Sequence, residues 1–322
     1  MPVVLDPDAA AVYKAFLEAA RPPYETLTPQ QARADYLAAR PATNPDPPDL
    51  RSVAPLWIPA SHGEIPARIY RLVKLRDKDG LAPCLVFFHG GGMVIGDLDS
   101  HDVVCRKLAH EGELVVISVD YRLAPEHKFP AATDDAITAT AWISDNAGAL
   151  GIDAARLCVG GDSAGGNLAA VVSLAARDGK GPAKGPAKGP AIAGQLLIYP
   201  ATDLSRTHPS HREPETSVLL THSVIGWFMN HYLGDADVSD WRASPLRAAT
   251  FAGLPPAYVL TAGADPLRDE GDEYAARLKE TGVPVTYRHF PGQFHGFFTM
   301  GKLLPQANVA ASEIAAWLKG LG

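Results

Sequence analysis

The rhythm of apolar and polar positions changes twice along the chain. From Asp8 to Ala20 the apolar residues fall at helical spacing; Pro22, Pro23, Thr28 and Pro29 end that pattern before a second helical stretch, Gln30 to Arg40. After the Pro-rich connector PATNPDPPDL, the segments VAPLWIPA and EIPARIYRL flank Ser61 to Gly63 and predict paired antiparallel strands at a sheet edge. Beyond Gly80 short β-rich runs alternate with helix-length segments. The runs are Cys84 to Phe88, Leu114 to Val119, Arg156 to Gly160, Gly194 to Tyr199, Ala257 to Gly263 and Val285 to Phe290. Helices are predicted at His101 to Glu111, Ala131 to Asn146, Gly166 to Arg177 and Asp269 to Glu280. Repeated alternation of this kind predicts an α/β protein, a mostly parallel central sheet flanked by helices on both faces.

Two segments break the alternation. The threefold tetrapeptide repeat KGPAKGPAKGPA, Lys180 to Ala191, is too rich in Gly and Pro to pack and reads as a solvated connector. The stretch from Ser205 to about Thr250 holds one amphipathic helix near His222 to Leu233 and no core strand, so it is expected to join the N-terminal helices over the sheet as a lid.

Composition narrows the partners. At 322 residues the chain can bury a large core, and 36 acidic against 29 basic side chains give a net charge of −7 with no basic run dense enough to track nucleic acid. No apolar stretch is long enough to span a bilayer and the N-terminus lacks a positively charged leader, so a soluble cytoplasmic protein is expected. Cys84, Cys105 and Cys158 are an odd set, two of them in β runs, and read as buried free thiols. An open edge strand and a polar lid are compatible with a homodimer.

In an open α/β sheet, ligands bind beyond the carboxyl ends of the strands. There the chain places HGGG (His89 to Gly92), GDSAGG (Gly161 to Gly166), PATD (Pro200 to Asp203), GADPLRDE (Gly263 to Glu270) and PGQFHGF (Pro291 to Phe297). Gly161 to Gly165 fits G-x-S-x-G, a strand-to-helix turn so tight that it holds the Ser163 hydroxyl clear of the sheet. A serine needs a base, and the base a carboxylate to orient it. Of the histidines late enough in the chain, His289 lies inside a β run and His295 in the loop beyond it; His295 is the candidate base. Asp265 directly follows a β run and is the candidate acid, with a turn role as its alternative. Asp269 and Glu270 belong to the next helix, where capping is their expected role. Backbone amides of Gly90, Gly91 and Gly92, which the sequence does not rank finely beyond favouring Gly91, and of Ala164 are the candidate oxyanion donors.

HGGG, DYRLAPEHKFPAA, GDSAGG, DPLRDEG and HGF, in this order, resemble the GDSAG branch of the bacterial hormone-sensitive lipase family of carboxylesterases, over about Pro83 to the C-terminus. The resemblance implies an α/β-hydrolase fold with a helical cap, Ser163 as nucleophile, His295 as general base and acid, Asp265 as its partner, and an oxyanion hole at the HGGG glycines and Ala164. It divides the chain into cap helices at 1–50, core at 51–204, cap insertion at 205–250 and core again at 251–322. Met93 stands where such proteins usually carry an aromatic, which puts Met93 at the substrate pocket. Tyr199 and Phe297 line pocket or core, with Tyr199 the one assigned to substrate.

Asp162 and Glu126 are expected to brace loop backbone. His89 reads as a loop-stabilising partner, and His208 and His211 as solvated loop histidines without a metal. The expected activity is hydrolysis of short to medium acyl esters of small molecules through an acyl-enzyme, with no cofactor. An amidase, lactonase or lipase with the same residues, or a non-catalytic ligand-binding protein on the same fold, are the alternatives.

Overall fold

A computed structural model describes residues 3–72, 80–179 and 189–321. Each β run becomes a strand: β1 Ser52–Ala60, β2 Gly63–Arg71, β3 Ala82–Phe88, β4 Val115–Val119, β5 Ile152–Asp162, β6 Gly194–Ile198, β7 Ala257–Ala264 and β8 Val285–Phe294. The described residues form one eight-stranded sheet in the order β1-β2-β4-β3-β5-β6-β7-β8. The pairings β1 with β2 and β2 with β4 are antiparallel, with Ile58 opposite Ile65; the others are parallel, with Phe88 opposite Gly161 and Asp162 opposite Ile198. The central strands are apolar throughout because both faces are covered: all five residues of β4 and all five of β6 are buried.

The helices are α1 Pro7–Glu18, α2 Pro29–Thr43, α3 Asp102–Gly112, α4 Ala131–Asp145, α5 Ala147–Leu150, α6 Ala164–Asp178, α7 His222–Tyr232, α8 Arg268–Glu280 and α9 Pro305–Lys319. α2 begins where Thr28 and Gln31 form a reciprocal capping box. α6 ends at Gly179, whose φ of 65° closes the last turn in the left-handed region. One face of the sheet packs on α4, α6 and α8 through residues such as Ile143, Leu168 and Tyr274; the other packs on α3 and α9 through Leu108, Ile314 and Leu318. Truncating a side chain as buried as Leu168 to alanine costs ~2–5 kcal/mol.

Two expectations need amendment. β8 runs four residues past Phe290 to Phe294, crossing a register shift against β7 between Ala262 and Ala264. The helix α9 was not expected, since its buried face is mostly alanine: Ala307, Ala310, Ala311 and Ala315 around Ile314 and Leu318. Most of the KGPA repeat, residues 180–188, lies outside the described residues. Among the described residues no helix is long and apolar enough to cross a membrane, and Cys84, Cys105 and Cys158 are buried free thiols.

Candidate active site

β5 carries the chain through Gly161 and Asp162 and turns abruptly into α6 at Ser163, whose φ of 56° and ψ of −114° lie where L-residues with a side chain rarely go. Glycine is needed close by for lack of room. A Cβ on Gly165 would sit 1.8 Å from the carbonyl oxygen of Phe88 at the end of β3. The strained turn is held from three directions: the Ser163 amide donates to Ile198 O at 2.8 Å, and the Ser163 carbonyl accepts from the amides of Asn167 at 3.0 Å and Ala201 at 3.2 Å.

The ends of β7 and β8 complete the cluster. His295 follows β8 directly, and its Nε2 lies 2.9 Å from Ser163 Oγ. Its Nδ1 lies 2.7 Å from Asp265 Oδ2, just past β7. Asp265 is fully buried, and its Oδ1 accepts the Leu267 amide at 2.8 Å, so both carboxylate oxygens are fixed. This chain can move a proton from the serine to the imidazole, while the carboxylate sets the tautomer and faces the imidazolium that results.

The loop after β3 supplies bare amides beside the hydroxyl. Gly91, at φ 123°, would drive a Cβ to within 2.1 Å of Ile95 O. The amides of Gly91, Gly92 and Ala164 donate to no other group among the described residues, and Ala164 is the first residue of α6, where the helix dipole favours negative charge. Gly90 differs from expectation. Its amide already donates to Asp162 Oδ1 at 2.9 Å, so it is a brace of the loop and not a free donor.

That brace belongs to a buried polar group behind the turn. Asp162 also faces His101 Nε2 at 3.3 Å, His89 Nδ1 lies 2.8 Å from Gly90 O, and the Tyr121 hydroxyl donates to His89 O at 2.6 Å. Burial opposes ionisation of Asp162, but His101, His89 and the Gly90 amide together hold its carboxyl below the usual range. Burial, with help from His101, pushes His89 down to about 4, so it stays neutral at physiological pH. Asp162 and His89 are loop braces, as expected; His101 had no signal in the sequence. Glu126 instead ties α2 down, accepting both Arg33 and Gln30.

The cluster opens into a cavity of about 970 Å³ between the strand ends and α1, α2 and α7. Ser163, His295, Gly91, Gly92, Ala164 and Met93 line it, together with Val12, Phe16, Val224 and Phe228. Tyr199 does not line it. Its ring is buried behind His295, with centroids 4.7 Å apart, and it also touches Phe297 at 6.0 Å, so its role is to back the imidazole and not to meet substrate. His289 sits in β8 and bonds Thr261 Oγ1 at 2.9 Å, away from the serine.

His208 and His211 are not solvated. His211 is buried, with Nε2 2.7 Å from Glu270 Oε2, and His208 Nε2 lies 3.0 Å from Glu273. Asp269 and Glu270 do not cap α8, whose N-terminus carries no side-chain cap; both reach other segments. Asp269 accepts the Ser210 amide at 2.8 Å and Glu270 Oε2 meets His211, so both fasten the 205–250 stretch to the core, while Glu270 Oε1 accepts the amides of Thr202 and Asp203 beyond β6. Among the described residues no group of three or more His, Cys, Asp or Glu side chains could hold a metal ion.

A family model described as alpha/beta hydrolase fold matches residues 85–299. The chain belongs to the α/β-hydrolase family. Among the relatives of this α/β hydrolase is the carboxylic ester hydrolase LipN of Mycobacterium tuberculosis, 43% identical, over 85% of this chain and 72% of that one. The ethyl acetate hydrolase of Pseudomonas putida is 39% identical, over 94% and 95% of the two chains. An α/β-hydrolase enzyme from the metagenome of Lake Arreo superimposes with a TM-score of 0.91 at 44% identity, covering 98% of both. These likenesses agree with the resemblance to the bacterial hormone-sensitive lipase family of carboxylesterases.

Proposed function

We propose a carboxylic ester hydrolase that works through Ser163, His295 and Asp265. The enzyme class rests on the esterase relatives; the roles of the residues rest on the continuous path from Ser163 Oγ through His295 to Asp265, at 2.9 and 2.7 Å. Ser163 attacks the ester carbonyl as His295 Nε2 takes its proton. The amides of Gly91, Gly92 and Ala164 receive the oxyanion, and His295 returns the proton to the leaving alcohol. Water then repeats the cycle on the acyl-enzyme. The sequence Gly161 to Gly165 supports the GDSAG branch, and residues 1–50 and 205–250 act as the cap.

Substrates of short to medium acyl length fit this reading: a cavity of about 970 Å³ is at the upper end for a small-molecule site, and its cap-side wall is apolar. Met93, buried at the cavity wall, shapes the pocket. Three buried thiols support a reducing, cytoplasmic setting. The test is covalent labelling by a fluorophosphonate beside turnover of p-nitrophenyl esters of rising chain length. Wild type should label and hydrolyse; Ser163→Ala should do neither. A wild type that is folded yet unlabelled would sink the proposal.

A further inference from the structure

Arg40, near the end of α2, lines the same cavity and is only 7% exposed. A buried guanidinium loses several kcal/mol of hydration and normally regains it from a carboxylate. Arg40 has no such partner among the described residues. Its Nη1 donates to Thr299 Oγ1 at 3.0 Å, its Nε reaches Tyr36 O at a stretched 3.4 Å, and one face lies 4.1 Å from the centre of the Tyr36 ring. Of the five N–H donors on the planar fork, two are used.

The buried carboxylates that line this cavity are already matched: Asp162 by His101 at 3.3 Å, Asp203 by Arg247 at 3.0 Å, and Glu270 by His211 at 2.7 Å. None is left to neutralise Arg40. The other inward cation without a carboxylate, Arg206, is half-buried and spends Nη2 on His222 O at 3.0 Å. Arg40 is therefore the most deeply buried cation lining this cavity that has no carboxylate partner among the described residues.

We propose that Arg40 binds a carboxylate carried by the substrate, on its alcohol portion. The side follows from Thr299, whose hydroxyl accepts from Arg40 and donates to Gly296 O at 3.0 Å, next to His295. Arg40 thus stands on the base's side of Ser163, where the leaving alcohol collects its proton. The substrates selected are acyl esters of small hydroxy acids. The inference rests on the esterase reading and adds the substrate class.

The test uses the full-length enzyme at about pH 8 and two matched pairs: the butyrate ester of γ-hydroxybutyrate against n-pentyl butyrate, and monoethyl glutarate against ethyl hexanoate. Wild-type kcat/KM should favour the anionic member of the first pair only. Arg40→Met should lower that anionic-to-neutral ratio by about tenfold or more, mainly through KM, and Arg40→Lys should restore part of it. An equal loss on both members would make Arg40 a strut between α2 and the His295 loop and overturn the proposal; so would a preference confined to the glutarate pair. Should Arg40→Met fail to fold, wild-type inhibition decides: γ-hydroxybutyrate should inhibit about tenfold better than γ-hydroxybutyramide, and equal inhibition refutes the subsite. Turnover of n-pentyl butyrate by wild type tests the esterase reading separately.

Discussion

Asp265→Asn isolates the carboxylate from everything else in the site. The carboxylate is fully buried and fixed at both oxygens, by the Leu267 amide at 2.8 Å and by His295 Nδ1 at 2.7 Å. Asparagine is nearly isosteric, and its carbonyl oxygen can keep the Leu267 bond. Its amide nitrogen then faces His295 Nδ1, which must act as the acceptor. The ring is forced into the tautomer with hydrogen on Nε2, and that hydrogen points at Ser163 Oγ across 2.9 Å, so the base has no lone pair for the serine proton. The imidazolium also loses its counter-charge. Together these are worth a fall in kcat of about 10⁴, or about 5 kcal/mol in the barrier. Ester turnover, fluorophosphonate labelling rate and thermal unfolding are measured on the same preparations. Rate and labelling should fall together while Tm moves by less than about 2 °C. A folded Asp265→Asn that retains more than about a tenth of wild-type kcat would show that Asp265 holds a turn and does not orient the base.

Three further outcomes test other parts of the molecule. Gly165→Ala brings a Cβ to 1.8 Å from Phe88 O, which forces β3 and α6 apart; a loss of at least ~3 kcal/mol is expected, read as a Tm drop of roughly 4 °C or more or as insoluble protein. Glu270→Ala strips partners from buried His211 and from the amides of Thr202 and Asp203, costing ~3–5 kcal/mol in urea unfolding, whereas an exposed pair would cost under ~1. Burial, reinforced by Asp97, raises Asp120 to about 6, above its unfolded value, so its ionisation destabilises the fold above that pH and the penalty fades as pH falls. Asp120→Asn should therefore raise Tm at pH 8, by the equivalent of ~1–3 kcal/mol, and the gain should vanish below about pH 4; a gain that is the same at both pH values refutes the linkage.

The proposed trio was legible because each member lies within a few residues past a β run, although the run before His295 stops at Phe290, four residues short of the true end of β8. Ser163, Asp265 and His295 follow runs whose apolar residues announce β5, β7 and β8. What stayed hidden was tertiary. Arg40 meets Thr299 across 259 positions, His101 meets Asp162 across 61, and His211 meets Glu270 across 59, so no window along the chain contains both partners. The same limit explains the reassignment of Gly90 and Tyr199. HGGG shows that amides are bare of side chains, but only the position of Asp162 decides that Gly90 is engaged while Gly91 and Gly92 are free. Tyr199 follows a strand end like the others, yet a φ of 34° turns its ring behind His295, and backbone angles leave no mark in hydropathy.

The strain at Ser163 has a physical consequence for how the site is built. A non-glycine residue in that region costs ~1–3 kcal/mol and persists only where its surroundings over-determine it. Here the surroundings are the whole set of functional loops. The bonds from Ser163 reach Ile198 and Ala201 at the end of β6, and Asn167 on α6 donates through Nδ2 to Ala201 O at 2.7 Å and Ala243 O at 2.8 Å. Ala243 belongs to the 205–250 stretch, which Glu270 through His211 and Asp269 through Ser210 fasten to the start of α8, itself just past Asp265. Serine conformation, attachment of the 205–250 stretch and carboxylate position are therefore linked through one set of hydrogen bonds. The turn cannot relax without disturbing the 205–250 stretch, and that stretch cannot shift far without releasing Asn167 beside the turn. Such coupling keeps a high-energy serine in place at the wall of a cavity of about 970 Å³.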